Sequence, residues 1–183
     1  MEIEVKARLK DAEDVMAKLR ALGCEFSPIR TQDDMVWVEK FGTLDEFLAN
    51  KVFLRIRVQN GEKIIMTAKK PKALHGDGSL IKREHEVVVD SADEARGILD
   101  MLGLKEAVRV VKKRQTCECN GYEICIDEIE GLGSFIELEK IDELGEADRI
   151  QQEMFAFLKT LGISPEDHVK KGYDILMLEK SGN

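Results

Sequence analysis

The chain has 183 residues, 43% of them apolar and 35% charged, with a formal net charge of −8. That balance describes a folded chain long enough to bury a sizeable core and excludes disordered and fibrous classes. No apolar run nears the roughly 20 residues of a membrane helix, and the acidic balance disfavours a nucleic-acid partner.

The opening MEIEVKARL lacks the basic-then-apolar layout of a secretory signal, so a soluble cytoplasmic protein is expected. With no linker, repeat or low-complexity tract, residues 1–183 read as one domain. Cys24, Cys117, Cys119 and Cys125 have no CxxC spacing and are expected as reduced structural thiols.

Residues 2–9 alternate strictly, with Glu2, Glu4, Lys6 and Arg8 on one side and Ile3, Val5, Ala7 and Leu9 on the other. That is a strand with a charged face and an apolar face. A helix follows, with Asp11 as its N-cap, Val15, Leu19 and Leu22 on one side, and Gly23 as its stop. Strands are predicted near 30–40, 51–59, 62–70 and 80–89. Ser91–Glu94 then opens a helix running to about Leu102. Three more strands lie near 107–119, 122–129 and 134–141, and helices near 144–161, 165–167 and 168–179 complete the chain. The pattern is α+β: eight antiparallel strands with flanking helices.

Three turns fix the expected registers. Asn120-Gly121 favours a two-residue type I′ turn, which sets Arg114 opposite Asp127. Asn60-Gly61 fits a three-residue loop, with Gly61 left-handed, because only then does Lys69 join Arg55 and Arg57 on one face. A loop through Gly131-Leu132-Gly133 would set Asp127 opposite Glu137. Charge of both signs is thus sorted to one face of most strands. Closing the sheet with these faces inward gives a polar-lined β-barrel, or tunnel, wrapped by helices, which also removes exposed edges.

The acidic group comprises Glu2, Glu4, Asp127, Glu137 and Glu139, with Glu84 and Glu86 adjoining. Converging carboxylates are costly to ionise unless cations sit among them, and oxygen-only ligands suit Mg²⁺ or Mn²⁺. The basic group is Lys6, Arg8, Arg55, Arg57, Lys69, Lys82, Lys112 and Arg114, an array suited to the oxygens of a triphosphate. Lys69, Glu137 and Glu139 are the expected catalytic residues. There is no Walker-type loop, so side chains rather than a backbone cradle must hold phosphate. Trp37 is assigned to the core in preference to stacking on a base. Tyr173 suits either a tunnel mouth or an anchor for the last helix, and His75 is placed in an exposed loop over 72–79.

At these residues the sequence resembles the CYTH, or triphosphate tunnel metalloenzyme, superfamily. Glu2-Ile-Glu4-Val-Lys6 is similar to its ExExK signature, Leu54-Arg55-Ile-Arg57 to its LRIR strand and Thr67-Ala-Lys69-Lys-Pro71 to its TxKxP. Lys112-Lys-Arg114 resembles KxR, Glu84-His-Glu86 an ExE element, and Asp127 to Glu139 the LDxxxGLGxFxExE segment. Gly172-Tyr173-Asp174-Ile-Leu176 resembles SYxDLL.

The resemblance implies an eight-stranded tunnel, Mg²⁺ or Mn²⁺, often a homodimer, and a nucleoside triphosphate, thiamine triphosphate or tripolyphosphate as substrate. Metal would fall to Glu2, Glu4, Asp127, Glu137 and Glu139; phosphate would fall to Lys6, Arg55, Arg57, Lys69, Lys112 and Arg114. Class IV adenylyl cyclase-like members are the most similar. Where those tend to carry QxDxYF and TDEALRIR, this chain has Gln32-Asp-Asp34-Met-Val-Trp37 and Asn50-Lys-Val-Phe-Leu-Arg-Ile-Arg57. Cyclisation, triphosphate hydrolysis and non-catalytic binding all remain open at this point.

Overall fold

The computed structural model describes residues 2–74, 80–141 and 145–182, with residues 2, 71–74 and 80–83 described by backbone alone. His75 and residues 75–79 of its expected loop therefore lie outside the described residues, while residues 72–74, expected in that loop, extend a strand.

The strands are β1 (Glu2–Leu9), β2 (Arg30–Val38), β3 (Phe53–Gln59), β4 (Lys63–Leu74), β5 (Leu80–Val89), β6 (Lys105–Cys119), β7 (Tyr122–Ile129) and β8 (Gly133–Ile141). The helices are α1 (Ala12–Ala21), α2 (Leu44–Leu48), α3 (Ala92–Met101), α4 (Ala147–Thr160) and α5 (Tyr173–Ser181), with a 3₁₀ turn at Pro165–Asp167. The class is α+β, as expected. The eight strands follow the order β1-β8-β7-β6-β2-β3-β4-β5. Among the described residues this ladder ends at β1 and β5 instead of closing into a ring of hydrogen bonds.

By compactness the chain divides into two units. The first comprises residues 1–29 and 113–170, the second residues 30–112 and 171–183. In the first, the apolar sides of β1, β7 and β8 (Ile3, Val5, Ile124, Ile126, Ile136, Leu138) pack with Val15, Met16 and Leu19 of α1 and Ile150, Met154 and Leu158 of α4. Asp11 caps α1 by accepting the Asp14 amide at 3.0 Å.

The second unit has two smaller cores. On one face of β2–β4, Met35, Trp37 and Ile56 meet Ala95 and Leu99 of α3. Trp37 is thus a core residue, and its Nε1 has no partner among the described residues. On the other face, Val36 and Val38 gather with Phe47 of α2, Phe53, and Ile175 and Leu178 of α5. Sequence periodicity did not reveal α2, whose five residues make barely more than one turn.

The three turns divide two to one. At Asn120-Gly121 both φ angles are positive, 52° and 74°, as a type I′ turn requires. Gln59 pairs with Lys63 and Arg57 with Ile65, so the Asn60–Glu62 loop has three residues and carries Lys69 to the charged face. The third expectation is corrected by two residues. Asp127 pairs with Phe135 and Cys125 with Glu137, because the loop is Glu130-Gly131-Leu132. The Leu132 amide donates to the Ile129 carbonyl at 3.1 Å, and Gly131 at φ 78° takes the left-handed position of a type II turn. A shift of two preserves every residue's face and changes only its neighbours.

Candidate functional site

In the first unit, the polar faces of β1, β8 and β7 form three rows. Glu4 lies opposite Glu139, and Glu139 opposite Glu123. Lys6 lies opposite Glu137 and Cys125, and Arg8 opposite Phe135 and Asp127. Arg114 reaches these rows from β6: its Nε donates to Asp127 at 2.6 Å, and its Nη2 also contacts Asp127 and Glu137. Lys6 Nζ lies 3.0 Å from both Glu4 and Glu137.

Asp127 is completely buried and Glu137 nearly so, at 0% and 5% exposure. Burial works against the Lys6 ammonium, but Glu4 and Glu137 outweigh it and hold its pKa above the ordinary lysine value. Burial likewise opposes the Arg114 guanidinium, and its hydrogen bonds to Asp127 with the charges of Glu137 and Asp127 reverse that effect.

The structure brings together Glu4, Lys6, Arg114, Asp127, Glu137 and Glu139 of the expected set. Arg8 stands apart from the carboxylates: its Nη1 donates to the Leu132 carbonyl at 2.7 Å and its guanidinium covers the Phe135 ring at 4.7 Å. The backbone of Glu2 pairs with Ile141, and its side chain lies outside the described residues.

Two members of the cluster were not foreseen. Ligand atoms of Glu123, Cys125 and Glu139 lie within 4.8 Å of one another. The two-residue correction at the Gly131 loop is what aligns Glu123 with Glu139.

This donor set fits a hard divalent cation. Glu4, Glu139 and Glu123 place three carboxylates in one cross-strand row, where like charges repel unless a cation lies among them. Glu137 adds a fourth in the neighbouring row. Cys125 is a poor ligand for Mg²⁺, because burial, reinforced by Glu139, Glu137 and Asp127 against Arg114, pushes its thiol far above the usual range.

The second unit carries the other basic residues of the expected set, Arg55, Arg57, Lys69, Lys82 and Lys112. Asp34 of β2 is 6% exposed and accepts two hydrogen bonds from Arg57, Nε at 2.6 Å and Nη2 at 2.7 Å. Burial would raise the Asp34 carboxyl, but Arg57, then Lys112 and Arg55, hold it below the ordinary carboxylate value. Arg55 Nη2 donates to Thr67 Oγ1 at 3.0 Å and Glu86 at 3.2 Å, and its buried Nε has no partner among the described residues. Burial and then the neighbouring Arg57 depress its pKa.

Lys112 is 6% exposed and lies 5.2 Å from the Tyr173 ring centre, so Tyr173 anchors α5 against this cluster. Lys69 bonds Glu84 at 2.7 Å, toward the exposed end of the face. The Lys82 backbone pairs with Pro71, and its side chain lies outside the described residues.

The fold and these side chains define an α+β protein of eight antiparallel strands that carries clustered carboxylates and cations on its strands. The chain belongs to the CYTH domain family, whose model matches residues 1–173. Members of that family act on triphosphate substrates with divalent metals. A Methanocaldococcus jannaschii protein provisionally named an adenylate cyclase is 34% identical over 175 residues, 94% of this chain and 96% of that one. A solved Pyrococcus horikoshii OT3 structure superposes with a TM-score of 0.81 at 30% identity, covering 98% of this chain and 99% of its own. A solved Hippeastrum protein, described as a provisional adenylyl cyclase with dominant triphosphatase activity, gives 0.66 at 21% identity over 100% of this chain and 97% of its own. No described helix is long and apolar enough to cross a membrane.

Proposed function

We propose that this chain is a metal-dependent enzyme acting on a triphosphate, with cyclisation of ATP to cyclic AMP and pyrophosphate as the leading reading. The observation that carries the triphosphate assignment is the second unit's grouping of half-buried Arg55 and Arg57 with buried Lys112 around the buried Asp34 carboxylate, with Arg55 Nε lacking a partner among the described residues. Buried guanidinium donors of this kind match phosphate oxygens in charge and shape. Lys69 extends the same face. In the first unit, Glu4, Glu139 and Glu123, with Glu137, would hold Mg²⁺ or Mn²⁺, which when bound supplies Lewis-acid charge for phosphoryl chemistry.

The resemblance to adenylate cyclase-like relatives supports cyclisation, in which the ribose 3′-hydroxyl attacks the α-phosphorus and pyrophosphate leaves. Glu139, half-buried at the centre of the carboxylate row, is the proposed acceptor of the hydroxyl proton. Lys6 and Arg114 balance the charge that Glu137 and Asp127 carry. Triphosphate hydrolysis is the second reading, favoured by the Hippeastrum protein's described activity.

Incubation with ATP, thiamine triphosphate or tripolyphosphate, each with Mg²⁺ or Mn²⁺, tests both. Cyclic AMP with pyrophosphate supports the cyclase and orthophosphate the phosphohydrolase. No product from any substrate refutes enzymatic action and leaves a triphosphate binder.

A further inference from the structure

Asp34 stood outside the charged groups in the sequence reading, yet it lies among the cations of the second unit. Both its oxygens are taken by Arg57, at 2.6 and 2.7 Å, and Lys112 and Arg55 also act on it electrostatically. A guanidinium has five N–H donors. Two serve Asp34, leaving three without a partner among the described residues. The contact through Nε and Nη2 fixes the plane of the fork as well as its position, which a single hydrogen bond cannot do. Arg55 provides the contrast. Its carboxylate partner, Glu86, makes one contact at 3.2 Å, and the Glu86 side chain is half-exposed.

We propose that Asp34 is a positioning residue, which locks the Arg57 guanidinium so that its remaining donors meet the polyphosphate of the substrate. The inference rests on the triphosphate reading above. Its opposite is simple charge compensation, in which Asp34 only neutralises excess positive charge. The two roles predict effects of opposite sign. If Asp34 merely compensates charge, Asp34→Asn leaves the cluster more positive and an anion binds more tightly. If Asp34 positions Arg57, the same change weakens binding despite the added positive charge, because the fork loses its orientation.

The probe is inorganic tripolyphosphate, titrated calorimetrically into the whole chain with chelator and no divalent metal. The expected result for Asp34→Asn is about tenfold weaker binding, with Glu86→Gln equal to wild type or tighter. In an Arg57→Lys background, where no fork exists to orient, Asp34→Asn should have no further weakening effect. Equal or tighter binding by Asp34→Asn overturns the inference. Failure of the wild-type chain to bind tripolyphosphate overturns the triphosphate reading itself, and the inference falls with it.

A measurement on the wild type covers the case in which the variants do not fold. The Arg57 Nε–H should exchange with solvent far more slowly than that of exposed Arg149 by ¹⁵N-resolved NMR, and equal exchange rates would also overturn the proposal.

Discussion

Replacing Arg114 with methionine removes the guanidinium that holds both oxygens of Asp127 and also contacts Glu137. Methionine is unbranched and flexible enough to fill the vacated stem without strain. Breaking a buried ion pair by deleting one partner costs about 3–5 kcal/mol. Glu137 keeps Lys6 at 3.0 Å, so the loss falls mainly on Asp127 and about 3 kcal/mol is expected. A chain of this size loses roughly 2–4 °C of melting temperature per kcal/mol, which gives a fall of about 6–12 °C by circular dichroism in chelator.

Added Mn²⁺ supplies the decisive readout. In the wild type, Arg114 already neutralises carboxylates that a divalent cation would use, so metal must compete with it. In Arg114→Met that competitor is gone, and Mn²⁺ should raise the melting temperature further than it does in the wild type. A melt within about 2 °C of wild type would show that the ion pair carries little stability. Equal metal-induced shifts in the two proteins would show that Arg114 and the cation use different carboxylates.

Asn50 is 8% exposed; it accepts the Lys40 amide at 2.9 Å and donates to the carbonyls of Lys40, Glu46 and Phe47 at 2.7, 2.8 and 3.0 Å. Asn50→Ala should cost about 2–4 kcal/mol in urea unfolding at unchanged m, with tripolyphosphate affinity retained. A loss below about 0.5 kcal/mol would contradict these contacts. For Asp34 the pH direction follows from its depressed pKa. The Asp34–Arg57 pair stabilises fully above the ordinary carboxyl value of 3.8, and that stability is lost as pH falls through the lower folded value. The stability gap between wild type and Asp34→Asn should therefore be constant from about pH 7 to 5 and shrink in more acidic urea titrations. A gap that does not change with pH would remove Asp34 as its source.

The sequence disclosed the charged faces because strand alternation is local, and Lys69 could be placed because only an odd loop brought it beside Arg55 and Arg57. The Gly131 segment was harder. Two glycines within three residues allow a type II turn at either position, and the choice depends on backbone angles that residue types leave open. Asp34 stayed hidden for a different reason. It is adjacent to Asp33, and consecutive acids on a strand point to opposite faces. Residue types do not say which one meets a buried arginine and which one, as Asp33 does with Arg109, forms a more exposed pair. The departure at Asn50 from the cyclase-like pattern also acquires a local role, since its side chain ties α2 to Lys40 in the segment that follows β2.

The cross-strand rows of the first unit have a consequence for how errors are detected. In β1 the residues of the charged cluster, Glu4 and Lys6, alternate one by one with those that build the core, Val5 and Ala7. Slipping β1 by one position against β8 would present aliphatic groups to Glu139 and Glu137 while driving an ammonium and carboxylates into the packing of α1 and α4. A chain misassembled in this way would lose its solid interior at the same moment as its charged rows. Chaperones and proteases that detect exposed apolar surface would then remove the misregistered molecules along with other misfolded ones, so loss of the charged rows cannot go unmarked by loss of packing.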